Sequence, residues 1–148
     1  MSVRTFQAAD IIAHLLAGHE GYNLRVAYLV FNNTSAPALT PDQSDVVDTL
    51  VSAGGMDVLR LPILPSPLMG ASSVSYENNR VRFTIVGQGT EGLGATPFNS
   101  GSIVTNVGLA ASPYDDVATD LLYSHATVGP LNVVSGGHVG LTYEITIE

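Results

Sequence analysis

Three groups of side chains in this 148-residue chain have the types that catalysis or metal binding uses. The first is Asp120 with Ser124 and His125, the composition of an acid, a nucleophile and a base. Ser124 and His125 are neighbours in a strand-like run, and successive strand side chains point to opposite faces. The hydroxyl and the imidazole therefore cannot pair as nucleophile and base. The second group is the histidines. His14 and His19 are five residues apart in a run with helical spacing, where a spacing of four would share a face, so no metal pair is expected. His138 falls on the polar side of an alternating strand, where an exposed histidine is ordinary. The third group is carboxylates. Asp42, Asp45 and Asp48 recur every three residues, a row that cannot wrap an ion and reads as a solvated helix face. Asp115 and Asp116 lack a ligand-spaced loop with a central glycine and read as an Asx turn. A site joining His125, His138 and the Asp115-Asp116 pair has nothing in the sequence in its favour.

Gly87-Gln88-Gly89-Thr90-Glu91-Gly92 matches the spacing of a dinucleotide-binding loop. That chemistry needs a helix whose first amides meet a pyrophosphate. Here Leu93-Gly94-Ala95-Thr96-Pro97 follows, which cannot be such a helix, and Glu91 stands where phosphate would lie. The stretch from Gly87 to Gly101 is expected to be a long loop, long enough for a functional arm.

The elements that carry these residues are mostly strands. From Val139 to Ile147 apolar residues alternate with His138, Gly140, Thr142, Glu144 and Thr146, the cleanest strand in the chain, and a sheet must receive it. Leu24 to Asn32 is apolar on both sides beyond Arg25, as a strand covered on two faces is. Pro62 confines the strand around Val58-Leu59-Arg60-Leu61 to an edge or a strand end. Arg80 to Val86 alternates, and Asn78-Asn79 closes a hairpin with a short strand over Ser72 to Tyr76. Ile103 to Ala111, Ala118 to Ala126 and Leu131 to Val134 complete the set, giving about seven or eight short strands. Two helices are expected. One lies between Ser2 and His19, with Thr5 as N-cap and Gly18 as its left-handed stop; the other starts at Thr40-Pro41-Asp42-Gln43 and ends at Gly54-Gly55. The fold class expected is mainly β, an antiparallel sandwich or jelly-roll-like barrel with two short helices, as one domain over residues 1–148.

Composition narrows the function. There is no cysteine, so no disulfide framework or thiolate chemistry. The five cations are all arginine and face thirteen carboxylates, a net charge of -8 that repels phosphate backbones. Charged residues make up only 12% while mean hydropathy is +0.28, and no stretch reads as a signal peptide or a membrane span. Lysine is a common guard of exposed sheet edges, and its absence requires another form of edge protection. Compositional drift or edge-covering loops would account for unguarded edges, and so would neighbouring subunits in an assembly, the reading that the apolar surplus and two-faced strands also suggest.

Leu24-Arg25-Val26-Ala27-Tyr28, Val58-Leu59-Arg60-Leu61-Pro62, the glycine-rich loop and the terminal Gly140-Leu141-Thr142-Tyr143-Glu144-Ile145-Thr146-Ile147 strand resemble, over the whole chain and in texture, small virion structural proteins of tailed bacteriophages, including capsid decoration or cement proteins and tail or fibre components. The resemblance implies a non-enzymatic protein of the virion, a homo-oligomer with a trimer favoured, whose partners are the major capsid protein or other virion proteins. It implies no cofactor, no nucleic acid and no membrane. Candidate interface residues are Arg4 and Phe6 in an N-terminal arm, Arg25 and Arg60, and Gly87, Gly89, Gly92 and Phe98 in or beside the loop. A ligand- or carbohydrate-binding β domain using Tyr76, Tyr114, Tyr123 and the acidic turns is the alternative from another class.

Overall fold

The structure is a computed structural model that describes residues 2–33, 37–53, 55–63, 73–88, 101–134 and 138–148. It is mainly β, with two antiparallel sheets in a sandwich-like arrangement and two helices. The larger sheet has the order β1 (Ser2–Arg4), β7 (Leu121–Asn132), β6 (Ile103–Ala111), β2 (Leu24–Asn32), β3 (Asp57–Pro62). The smaller has the order β4 (Ser73–Glu77), β5 (Arg80–Gln88), β8 (His138–Thr146).

β2 is bonded on both sides, to β3 and β6, and its two faces enter two different cores. Ala27, Leu29 and Phe31 meet Phe83, Ile85 and Val139 of the smaller sheet. Val26, Tyr28 and Val30 pack instead under Val47 and Leu50 of α2 (Val47–Val51). The all-apolar pattern of this strand is thus the pattern of a strand covered twice. A third cluster, Ala8 and Ile11 of α1 (Gln7–Leu16) with Ala111 and Tyr123, closes one end. Pro62 ends the edge strand β3, as expected. Asn78, at φ 55, turns the β4–β5 hairpin, whose closing pair is Glu77 and Arg80.

Several expectations are corrected. Thr5 does not cap α1; its hydroxyl donates to the Leu122 carbonyl, and the cap position is Phe6, without a side-chain bond. The residues before it form the short strand β1 on β7. Gly18 does stop the helix, at φ +84. α2 starts later than its sequence signals suggest, because Asp42, Ser44 and Asp45 bond among themselves in a turn. Ser44 N–H donates to Asp42 Oδ1 and Asp42 N–H to Asp45 Oδ2, both at 2.8 Å. The last two runs before the terminal strand are one strand, β7, which continues past Pro130 because a register shift between Val104 and Asn106 of β6 absorbs the irregularity. The terminal strand β8 lies at the edge of the smaller sheet. Gly87 and Gln88 belong to β5 rather than to the expected loop, whose residues 89–100 lie outside the described residues.

Candidate functional site

His125 sits on the face of β7 toward the 37–46 segment, 1% exposed, and a buried imidazole needs partners for both nitrogens. Asn106 Nδ2 lies 3.1 Å from its Nε2, and Asp45 Oδ2 lies 2.8 Å from its Nδ1. The amide of Asn106 is oriented by the backbone of Leu39, whose N–H donates to Oδ1 and whose carbonyl accepts from Nδ2, each at 2.9 Å. Asn106 therefore donates to His125 Nε2, and Nδ1–H donates to Asp45. This is an acid-imidazole pair whose far nitrogen is closed by an amide where a hydrolase would hold a nucleophile. Ser124 points the other way, to the Tyr143 hydroxyl, as strand alternation requires.

A second buried network joins Tyr28, Arg60 and Asp120. Arg60 Nε donates to Asp120 Oδ2 at 2.8 Å, and the Tyr28 hydroxyl donates to the same oxygen. The Asp120 side chain is fully buried and that of Arg60 14% exposed. Burial first, and then the bond to Asp120, pushes the Tyr28 phenol well above its ordinary range. Arg60 is raised too, chiefly by its hydrogen bond to Asp120, so it stays charged. Arg60 also reaches Ser112 Oγ at 3.0 Å, and Arg25 Nε donates to the Ser112 carbonyl at 3.1 Å. Asp115 adds an outer contact to Arg60 at 3.4 Å, and Asp116 Oδ1 accepts from Ala118 N–H in the expected Asx turn.

His14 and His19 do meet, with their Nδ1 atoms 2.7 Å apart, contrary to the reading from helical spacing. The helix ends at Leu16, Gly18 turns the chain back, and His19 N–H bonds the His14 carbonyl at 3.0 Å. Tyr22 stacks on His14 with ring centroids 3.8 Å apart. Among the described residues no group of three or more His, Asp or Glu is arranged to hold a metal ion.

The outer face of the smaller sheet carries Arg80 and Arg82. Arg82 donates to Glu144 at 3.0 Å, Arg80 lies 3.9 Å from the same carboxylate, and an open depression of about 250 Å³ is lined by Ser75, Tyr76, Glu77, Arg80 and Arg82. Asp42, fully exposed, is held below the usual carboxylate range, first by the Ser44 hydroxyl and then by its backbone N–H.

Of the candidate interface residues, Arg4 is exposed on edge strand β1, and Phe6 is 69% exposed beside it. Arg25 and Arg60 come together around Ser112, committed to internal bonds. Gly87 is buried in β5 opposite Val139. Gly89, Gly92 and Phe98 lie outside the described residues. Tyr76 and Tyr114 are exposed, whereas Tyr123 is buried. The Asp45–His125 pair was missed because the two residues are eighty apart. The available signal was a histidine inside the apolar run Leu121-Leu122-Tyr123-Ser124-His125-Ala126, which must find a partner.

Compared with known proteins, the chain matches no family model, no curated protein and no solved structure.

Proposed function

We infer that this chain is a non-enzymatic structural protein that works through its surfaces, as a capsid decoration or cement protein of a tailed bacteriophage. The single observation that carries the non-catalytic part is the closure of the Asp45–His125 pair by Asn106, at 1% exposure, with no nucleophile beside it among the described residues. The Tyr28–Arg60–Asp120 network is likewise bonded internally. What is left outward is of the kind used in contacts. Phe6 and Leu16 flank α1 at 69% and 85% exposure, and the edge strand β8 has no lysine or proline along it. The net charge of -8 suits a basic capsid surface. The virion assignment itself rests on the textural resemblance of the sequence.

The test is to raise antibodies against the purified protein and image particles made by the phage or prophage whose genome carries its gene. Labelling over the head supports the decoration reading, labelling on the tail moves the protein to a tail or fibre role, and unlabelled particles contradict both. A ligand-binding reading has one observation behind it, the depression under exposed Tyr76 on the arginine-bearing face. A thermal shift with a sugar or an anionic ligand that Arg82→Ala removes would favour it.

A further inference from the structure

We propose that β8 pairs with β8 of a second copy, antiparallel and about a two-fold axis through Thr142, to make one continuous six-stranded sheet. The inference rests on the reading that this protein works by assembly, and it names the surface.

The direction of the backbone groups comes first. Antiparallel pairs alternate between those that exchange hydrogen bonds and those that do not. Ile147 N–H donates to the Asn79 carbonyl at 2.8 Å, which puts the odd-numbered residues of β8 in the bonded pairs with β5. The hairpin agrees, because its closing pair Glu77 and Arg80 assigns the even-numbered residues of β5 to β4. Gly140, Thr142, Glu144 and Thr146 therefore turn their N–H and C=O groups away from the sheet. Among the described residues no strand receives them. The other edges are poorer templates: β1 has three residues, β4 five, and β3 six with Pro62 at its end.

The sequence of β8 is self-complementary in one register. Centring on Thr142 overlaps the whole strand and sets Thr142 opposite Thr142, Gly140 opposite Glu144, and, on the inner face, Leu141 opposite Tyr143 and Val139 opposite Ile145. The only charged residue of the strand thus meets a position with no side chain, and a Cβ built on Gly140 has no atom within 4 Å, so the carboxylate has room. Centring on Glu144 would instead place like charges opposite each other. The central register also leaves Glu144 bonded to Arg82 of its own chain and extends the Thr84–Thr142 row across the axis into a hydroxyl ladder. Such an isologous contact closes as a dimer, the even-numbered alternative to the trimer suggested by resemblance.

The experiment is sedimentation equilibrium over a dilution series on the full chain and four variants. Wild type is expected to be a dimer that dissociates on dilution. Thr142→Pro removes the two reciprocal bonds at the axis without touching β5, and weakens association by about thirtyfold. Thr142→Lys, which faces its own copy across the axis, weakens it as well. Gly140→Lys, facing Glu144 of the second copy, tightens it, an outcome no loss of folding can imitate. Val51→Lys, at an exposed position of α2 on the larger sheet, leaves it unchanged. A wild type that stays monomeric, or an oligomer of any size indifferent to Thr142→Pro, overturns the proposal. In the second case assembly survives through another surface, and particle labelling still decides the proposed function.

Discussion

β2 and β8 are both nine-residue strands, and they differ in everything that surrounds them. β2 has a bonded neighbour on each side and a hydrophobic cluster on each face, so no backbone group or apolar side chain in its centre is left to another molecule. Among the described residues β8 has one neighbour, one covered face, and a polar outer face of Gly140, Thr142, Glu144 and Thr146. The first strand holds the fold together. The second is stable enough to be ordered and still offers an edge. Changes around β2 should therefore move stability, and changes on the outer side of β8 should move association.

The largest effect is expected where β2 meets the ionic network. Asp120→Ala strips the partner from Arg60 and the acceptor from Tyr28 in a buried setting, and should cost about 3 to 5 kcal/mol in urea unfolding. A loss near zero would mean that the guanidinium reaches water and that this region is not the closed one described. Next comes Gly108 of β6, opposite Tyr28. A Cβ there would stand 2.7 Å from Leu50 Cδ1 and 3.0 Å from Leu122 Cδ1, both side chains fully buried. Gly108→Ala should cost about 1 to 2 kcal/mol by forcing α2 outward, and an unchanged unfolding midpoint would show that the helix packs loosely.

A smaller effect is expected in alkali. The Tyr28 phenol is raised in the folded protein above its ordinary 10.0, so as pH climbs past that value the unfolded chain releases its proton first. The stability contributed is complete below pH 10 and declines above it. Tyr28→Phe should flatten that decline while lowering stability at neutral pH, and equal slopes in the two proteins would contradict the placement of the hydroxyl. The smallest effect on folding belongs to β8. Thr142→Pro should change the unfolding free energy of the dilute protein by about 1 kcal/mol or less, since its N–H faces away from β5.

Much of this contrast was legible in the residues. The two-sided apolar pattern of Leu24 to Asn32 marks a doubly covered strand, Pro62 marks an edge, Asn78-Asn79 a hairpin, and the strict alternation after His138 a strand with one face on a core. What stayed hidden were the long-range choices of short polar side chains. Thr5 is as good a cap as a donor to a carbonyl 117 residues away, and only the docking of β1 on β7 decides between them. Asp45 has the spacing of a helix-face residue, yet burial of His125 draws it inward and delays α2. The meeting of His14 and His19 depends on the turn at Gly18, which a helical wheel does not contain. Which sheet takes the last strand, and at which position, follows from the sum of all pairings rather than from the strand itself.

The central claim, that β8 is a strand bonded on one side alone and completed by a second copy, is tested most directly by residue-resolved amide hydrogen exchange at two protein concentrations. In dilute solution the amides of Leu141, Tyr143 and Ile145 should be protected and those of Thr142, Glu144 and Thr146 should exchange freely. At high concentration the second set should gain protection while the first changes little. Even-numbered amides that exchange freely at every concentration, or that are already protected in the monomer, would contradict it.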